Sequence, residues 1–358
     1  MSERMINQFM EMVQIASESG EEAEFIEYLA REFASLGGKV RKDGYGNLIA
    51  HIPGKNSKTT APVLFSCHAD TVKPGKGIKP LLKDGVIRSS GETILGADDK
   101  AGIAELLDAL RTADIHPPLE IAISRQEEVG LLGVRNLDMG LLTAKRGFLL
   151  DNDTLETIVV GGPTYYGLDV TVQGLAAHAG MAPEKGINAI WAAAKAIASL
   201  RLGRLDGETT ANVGVINGGL IRNGVPDNAC FLAECRSLSH KKAEALIREM
   251  EGVIRCQAEA CGAKTEIAVN NVCNAVSIPE EAWTVATAKR ALSSIGIEAR
   301  TTLMTGYTDA SVYNNLGIEM AVVGIGAQDE HALTEHICVA DMEKARDMVL
   351  KLFSLSAE

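Results

Sequence analysis

The stretch Ala61-Pro-Val-Leu-Phe-Ser-Cys-His-Ala-Asp70 joins a continuous apolar run to two polar residues. An unbroken apolar run of this length is typical of a strand buried in a parallel sheet. Because side chains alternate along a strand, His68 and Asp70 project to the same side. That spacing suits an imidazole metal ligand oriented by a carboxylate, although a hydrogen-bonded loop histidine that binds no metal explains the pair as well.

Further apolar runs of the same kind alternate with segments of helical periodicity along the chain. The runs are 119–124, 147–150 and 320–325, and the helical segments are 101–110 and 280–296. Strands that alternate with helices predict an α/β domain built on a parallel sheet. In such sheets, ligands bind where the carboxyl ends of the strands meet loops.

A different order of elements occupies residues 164–274. The hydrophobic pattern there predicts strand, helix, two strands, helix and strand, which is the order of a ferredoxin-like α+β unit. We therefore expect an α/β domain formed by residues 1–163 and 275–358, interrupted by an inserted ferredoxin-like domain at 164–274.

Composition excludes several classes of protein. The 358 residues are 46% hydrophobic and 23% charged, which allows two folded domains with sizeable cores. The net charge of −12, with no basic cluster, argues against a nucleic-acid partner. No apolar stretch is long enough to span a membrane, and the N-terminus lacks the apolar run of a signal peptide. The seven cysteines form no C-x-x-C pair, so we expect reduced thiols and a cytoplasmic protein.

Carboxylates and imidazoles recur at the predicted strand ends. The segment Leu95-Gly-Ala-Asp-Asp-Lys-Ala-Gly102 opens a helix, and Asp98 or Asp99 could simply cap it. Glu127 and Glu128 follow one buried strand, although a solvated turn explains such a pair equally well. Asp151 ends another strand, and His331 follows the last one, with Glu335 and His336 shortly after it.

Taken together, these residues predict a metal centre. A mixture of carboxylates and imidazoles suits Zn²⁺ or Mn²⁺ better than Ca²⁺. Two ions need about six ligand positions, with one carboxylate shared and another free to act as a base. Two ions roughly 3.5–4 Å apart can polarise a carbonyl group and lower the pKa of a bridging water to about 7.

The motifs resemble those of the M20 metallopeptidases, and in particular their peptidase T (tripeptidase) branch. They occur in the family's order over nearly the whole chain. They are Ser66-Cys-His-Ala-Asp-Thr-Val, Leu95-Gly-Ala-Asp-Asp-Lys-Ala-Gly, Glu127-Glu128, Leu150-Asp151, Ala177-His-Ala-Gly-Met-Ala-Pro-Glu-Lys-Gly, Asn223-Gly-Val-Pro, Thr308-Asp-Ala and His331-Ala-Leu-Thr-Glu.

The resemblance implies a role for each residue of the centre. Asp98 would bridge two zinc ions, for which cobalt or manganese could substitute. One ion would be completed by His68 and Asp151, and the other by Glu128 and His331. Asp70 would orient His68, and Glu127 would be the general base that takes a proton from the bridging water. The family also commonly has a cis peptide after the bridging aspartate, here Asp98–Asp99.

Other residues gain a role only through the resemblance. His178 would reach the metal centre of a partner subunit and stabilise the oxyanion. Asn223 and Arg236 would hold the substrate, with Arg236 pairing with a terminal carboxylate. Gly306 and Thr308 would belong to a loop of the main domain that lines the same cleft. The inserted domain would mediate homodimerisation.

The resulting expectation is a cytoplasmic, zinc-dependent exopeptidase that hydrolyses short peptides through a metal-bridging hydroxide, in the manner of a tripeptide aminopeptidase. One alternative keeps the metal site but changes the substrate, giving a carboxypeptidase or an N-acyl-amino-acid deacylase. Another is a metal-binding or peptide-binding module without catalysis. Glu127 argues against a module without catalysis, because a protein that only binds a metal or a peptide has no need of a carboxylate kept off the metals.

Overall fold

An eight-stranded sheet carries the residues of the predicted centre. The computed structural model describes residues 3–358; Met1 and Ser2, which fall in the predicted α/β domain, lie outside the described residues. In spatial order the strands are Lys39–Lys42, Leu48–Ile52, Leu119–Ser124, Val63–His68, Arg146–Asn152, Glu319–Gly324, Thr157–Val159 and Arg300–Thr302.

Four neighbouring strands in the middle of this sheet are parallel. They are Leu119–Ser124, Val63–His68, Arg146–Asn152 and Glu319–Gly324. Every residue of Val63–His68 and of Leu119–Ser124 is buried, as the continuous apolar runs predict. Parallel strands bring their carboxyl ends to one edge, so the polar residues that follow them converge there.

Helices cover this sheet. They are Glu3–Gln14, Ala23–Ser35, Ala97–Thr112, Leu132–Arg135, Trp283–Ser294, Asp309–Asn315 and Val339–Ser356. The helix Ala97–Thr112 contacts the strands Val63–His68 and Arg146–Asn152, and it packs against the helices Glu3–Gln14 and Val339–Ser356. It is buried almost throughout, which explains its run of small and aliphatic residues. A sheet of four short strands, Pro80–Lys83, Val86–Ser89, Ala327–Gln328 and His336–Cys338, completes this part of the chain.

A second sheet is antiparallel and has five strands. Their spatial order is Gly203–Arg204, Thr209–Gly218, Asn228–Ser237, Thr164–Gln173 and Lys264–Cys273. The helices Ala189–Ala198 and His240–Glu259 pack together against it. Asn188 caps the first helix by accepting the N–H of Trp191 at 2.9 Å. Apart from the two-residue strand Gly203–Arg204, the chain order in this sheet is strand, helix, two strands, helix, strand. The predicted combination of an α/β domain with a ferredoxin-like α+β domain is therefore confirmed.

The chain divides into two compact units. The first runs up to Gly161 and includes Ser277–Met304 and Thr308–Glu358; the second comprises Gly162–Val276 and Thr305–Tyr307. The short segment 305–307 thus groups with the second unit, although it lies far along the chain from the rest of it. Within residues 3–358, no helix combines the length and the apolar character needed to cross a membrane.

Candidate metal centre

The carboxyl ends of the four parallel strands bring the predicted ligands together. His68 is the last residue of its strand, and Asp151 is the last but one of Arg146–Asn152. Glu128 lies in the loop that follows Leu119–Ser124, and His331 lies just after the short strand Ala327–Gln328, which follows Glu319–Gly324. Asp98 enters from the start of the helix Ala97–Thr112. Sheet topology therefore converts five positions scattered over the sequence into one cluster.

Asp98 lies between the two imidazoles. Its Oδ1 is 2.9 Å from Nε2 of His68, and its Oδ2 is 3.1 Å from Nε2 of His331. Each oxygen of the carboxylate thus faces a different histidine. The two oxygens of a carboxylate placed in this way can serve two cations at once.

The remaining ligand candidates lie on either side of Asp98. Asp151 Oδ1 is 3.7 Å from Nε2 of His68, and Glu128 Oε1 is 2.9 Å from Nε2 of His331. Two overlapping sets of side chains have ligand atoms within 4.8 Å of one another; they are His68, Asp98 and Glu128, and His68, Asp99 and Asp151. The second set includes Asp99, a residue that the sequence did not predict as a metal ligand.

Unsatisfied buried oxygens show that this cluster fits metal ions. Among residues 3–358, Glu128 Oε1 and Asp151 Oδ2 are buried without a hydrogen-bond partner. Glu128 Oε1 is close to His331, but their arrangement is not that of a hydrogen bond. Buried carboxylate oxygens are costly unless a proton or a cation compensates them. Imidazole nitrogen and carboxylate oxygen together form the donor set of Zn²⁺ and similar ions.

The pKa shifts reflect the crowding of charge. Burial raises the pKa of Asp151 to about 6, although the nearby imidazole of His68 opposes the shift. Burial alone would lower the pKa of His68, but Asp98 and Asp151 outweigh it and raise that pKa well above its usual value. A hydrogen bond to Asp98 and the nearby carboxylate of Glu128 raise the pKa of His331 to about 10. Mutual repulsion among the carboxylates is thus relieved only in part by the two imidazoles.

Asp70 holds two parts of the site in place. Its Oδ1 accepts the backbone N–H of Glu127 at 2.9 Å, and its Oδ2 accepts that of Glu128 at 3.2 Å. The Nδ1 of His68 lies 3.0 Å from the backbone oxygen of Asp70 and 3.5 Å from its carboxylate. The ring of His68 is therefore oriented mainly by the main chain of Asp70, and the side chain of Asp70 fixes the Glu127–Glu128 turn.

Glu127 is buried beside the cluster but belongs to neither set of ligand atoms. Burial raises the pKa of its carboxyl group well above the usual value, and the charge of Asp151 adds to the effect. A raised pKa favours the protonated form of a carboxyl group, so this group is suited to taking up a proton.

The helix Ala97–Thr112 does not have the aspartate cap that the sequence also allowed. The N-cap residue is Gly96, and neither Asp98 nor Asp99 caps the helix. Asp99 instead accepts the backbone N–H of His68 at 3.1 Å. A side chain at Gly102 would place its Cβ 2.4 Å from Asp99 Oδ1, so only glycine allows this approach. The Asp98–Asp99 peptide bond is cis, as the resemblance implies.

Four of the other candidates lie in the second unit, and Thr308 lies in the first. His178 is exposed, and its Nδ1 accepts the N–H groups of Gly180 and Met181 at 3.2 and 3.1 Å. The backbone oxygen of Asn223 accepts the N–H of Ala179. Gly306 belongs to the segment 305–307, and Thr308 is a buried residue at the start of the helix Asp309–Asn315.

Arg236 is held by neighbours of its own unit. Its Nε and Nη2 donate to Glu234 at 3.1 and 2.9 Å. Its guanidinium also lies over the rings of Tyr165 and Tyr307, at 4.6 and 4.9 Å from their centroids. These two rings stack on each other with their planes 9° apart. The arginine is thus presented in a rigid orientation by a carboxylate and an aromatic stack.

Three buried carboxylates near the centre were not predicted as functional. They are Asp99, Asp309 and Glu335. Asp309 accepts a hydrogen bond from Ser124, and burial raises its pKa to about 7. The sequence offered a signal for each, since Asp99 and Glu335 lie in motifs quoted above and Asp309 follows Thr308, but their burial is visible only in the structure.

Comparisons with known proteins agree with this geometry. Residues 164–260 match the family profile of a peptidase dimerisation domain, and residues 47–154 match that of peptidase family M28. A Bacillus subtilis protein described as the uncharacterized protein YqjE is 36% identical over 99% of both chains.

Two solved structures are similar over nearly the whole chain. Aminopeptidase PepT from Bacillus cereus is 39% identical, with a TM-score of 0.85 and 99% of each chain covered. A tripeptidase from Staphylococcus aureus is 33% identical, with a TM-score of 0.89, covering 99% of this chain and 98% of that one. At this identity and coverage, the predicted resemblance is confirmed. The chain belongs to the M20 family of metallopeptidases, as a hydrolase of its peptidase T-like branch.

Proposed function

We propose that this exopeptidase is a tripeptidase that contains two zinc ions per chain and releases the N-terminal residue of short peptides. The observation that carries the proposal is the position of Asp98, whose two oxygens each face a different histidine. The tripeptidase from Staphylococcus aureus supports the choice of substrate, because it is similar to this chain along its whole length.

The proposed ligands would divide into two groups around Asp98, a grouping that differs from the two sets defined above by distance. His68 and Asp151 would hold one ion, Glu128 and His331 the other, and Asp98 both. Bound zinc supplies Lewis acidity, which polarises a peptide carbonyl group and lowers the pKa of water. The unpartnered oxygens of Glu128 and Asp151 favour this division, because one would then serve each ion.

Glu127 would act as the general base and then as the general acid. Its backbone is fixed by Asp70, and its buried carboxyl group has a raised pKa. The carboxylate would take the proton of the attacking water and deliver it to the nitrogen of the leaving amine. Such a positioned group typically contributes about 10²–10⁴-fold to the rate.

His178 would donate a hydrogen bond to the oxyanion in the site of a partner subunit. Two backbone N–H groups point at its Nδ1, so the ring proton of the neutral imidazole lies on Nε2. This arrangement leaves Nε2–H as a hydrogen-bond donor. A donor aimed at a developing oxyanion is worth several kcal/mol in comparable sites, about 2.7–4 in one measured case.

Arg236 would bind the carboxylate at the end of the peptide. Glu234 occupies its Nε and Nη2, so the Nη1 edge is the one that we assign to the substrate. The stack of Tyr165 and Tyr307 keeps the guanidinium plane in place. Asn223 and Gly306, which belong to the same unit as Arg236, would contribute to this substrate site.

The second unit would form a homodimer. Large apolar side chains are exposed on it, among them Trp191 on a helix, Ile216 on a strand, and Leu220, which is 98% exposed. The strand Thr209–Gly218 is paired on one side only beyond Ala211, so it offers an edge to a second copy. Trp191→Glu should weaken the dimer in sedimentation experiments, whereas Leu82→Glu, a change at an exposed residue of the first unit, should not.

A product-resolved assay tests the proposal. One tripeptide with free ends is offered with zinc, and the same peptide is offered N-acetylated or C-amidated. Release of the N-terminal residue only when the amine is free supports the tripeptidase. Cleavage of the N-acetylated peptide, or release from the carboxyl end, supports the carboxypeptidase or deacylase alternative. No product from any form contradicts the proposed substrate class.

A further inference from the structure

Glu335 is a buried carboxylate that accepts four consecutive backbone N–H groups. Its Oε2 accepts those of Leu95 and Gly96, both at 2.7 Å, and its Oε1 accepts those of Ala97 and Asp98 at 2.7 and 3.1 Å. Only 1% of the residue is exposed. Glu335 therefore uses both of its oxygens to hold the segment that ends at Asp98.

The backbone of residues 95–98 is shaped for such an acceptor. Gly96 has a φ of +71°, in the left-handed region that favours glycine. A left-handed residue within a turn lets successive N–H groups point into one concavity, which binds an anion. These N–H groups lie before the regular part of the helix Ala97–Thr112, whose backbone is not helical at Asp98 and Asp99, and no side-chain cap of the helix itself accepts them. A distant carboxylate thus takes the place of a local cap.

Glu335 also ties two ligand segments together. It lies four residues after His331, whose Nε2 is 3.1 Å from Asp98 Oδ2. The segment 331–335 therefore contacts the segment 95–98 twice, once through an imidazole and once through a carboxylate. More than 230 residues separate these segments in the sequence, so local chain geometry cannot set their distance.

We propose that Glu335 is a positioning residue, which fixes the backbone of residues 95–98 against the His331 segment and thereby places Asp98 between the two imidazoles. Glu335 touches neither the proposed ions nor a substrate; it acts through the main chain of Asp98. The inference rests on the proposed function, because it concerns the proposed bridging ligand. Residues that orient metal ligands typically change metal affinity or activity by about 10–100-fold when they are replaced.

Glu335→Gln tests this role with little change of shape. The amide oxygen of glutamine can still accept two N–H groups, but its NH₂ group faces the other two donors. Glu120→Gln is the matched control, because Glu120 is also a buried carboxylate that accepts backbone N–H groups, from Thr143 and Ala144, at the start of the strand Leu119–Ser124. Both variants should lower the unfolding temperature of the chelator-stripped protein.

Metal affinity and the spectrum of bound cobalt separate a positioning role from a merely structural one. Competition with a chelator should show about 10–100-fold weaker zinc binding for Glu335→Gln and wild-type binding for Glu120→Gln. The visible spectrum of the Co²⁺-loaded protein should shift only in Glu335→Gln, because the ligand geometry changes. Wild-type affinity and an unshifted spectrum in Glu335→Gln would overturn the inference.

A second variant covers the case in which Glu335→Gln does not fold. Glu335→Asp keeps the charge but withdraws the carboxylate by one methylene, so weaker zinc binding and a shifted cobalt spectrum are again expected. Wild-type values for both measurements in this variant would overturn the inference. Failure of the wild-type protein to bind two ions would instead contradict the proposed function, so the two failures are distinguishable.

Discussion

Replacing Asp70 by asparagine tests how Glu127, the proposed general base, is held. The carboxylate of Asp70 accepts N–H groups from Glu127 and Glu128 and the hydroxyl of Ser19, at 2.9, 3.2 and 2.7 Å. An asparagine NH₂ group in place of either oxygen faces at least one of the two N–H donors. A hydrogen bond to a charged group contributes about 1.5–3 kcal/mol. We therefore expect Asp70→Asn to lower the free energy of unfolding by about 1.5–3 kcal/mol.

The effect on turnover should exceed the effect on metal affinity. The ring of His68 is held mainly by the backbone oxygen of Asp70 at 3.0 Å, which the substitution preserves. The backbone of Glu127 loses its anchor, so turnover should fall by about 10–100-fold. Urea unfolding, chelator competition and steady-state hydrolysis measure the three quantities.

Glu319→Gln is the control for Asp70→Asn. Glu319 accepts the N–H and the hydroxyl of Thr284, both at 2.9 Å, at the start of the strand Glu319–Gly324. This variant should lose stability but keep its turnover. Wild-type turnover in Asp70→Asn, or an equal loss of turnover in both variants, would refute the reasoning.

Three further predictions concern the roles of single residues. Glu127→Ala should retain its metal content and lose about 10²–10⁴-fold in turnover; equal turnover in the variant and the wild type would contradict a general base. His178→Ala should lose turnover without dissociating the dimer or losing metal, as sedimentation and metal analysis would show; stoichiometric loss of metal would make the oxyanion role wrong. Asp98 and Glu128 raise the pKa of His331 to about 10, so we expect this proposed ligand to be protonated at pH 7 in chelator-stripped protein. Zinc binding must then release protons and weaken as the pH falls, and an indicator dye that detects no proton release on zinc addition would argue against His331 as a ligand.

The fold was predictable from the sequence wherever a segment was long enough to show a clear hydrophobic pattern. The buried strands around Val63–His68 and the ferredoxin-like order of the second unit follow from uninterrupted or alternating apolar residues. The strands Thr157–Val159 and Arg300–Thr302 were not predicted, because three residues are too few to show a period. The helix Val339–Ser356 was also missed, although most of one side of it is buried.

The candidate site was predictable where residues end strands, because parallel strands bring their carboxyl ends together. His68 and Asp151 are of this kind. The partners of Asp70 and Glu335 were not predictable from the sequence, because their carboxylates bind backbone N–H groups far away along the chain. Any residue type offers a backbone N–H group, so the sequence carries no mark of such a contact.

A zinc titration of chelator-stripped protein tests the central claim most directly. Hydrolysis of a tripeptide with free ends is measured as zinc is added in known equivalents per chain. If Asp98 joins two sets of ligands, activity should be absent without metal and should reach its plateau at two equivalents. Full activity without zinc, or a plateau at one equivalent, would contradict a two-metal centre at these residues.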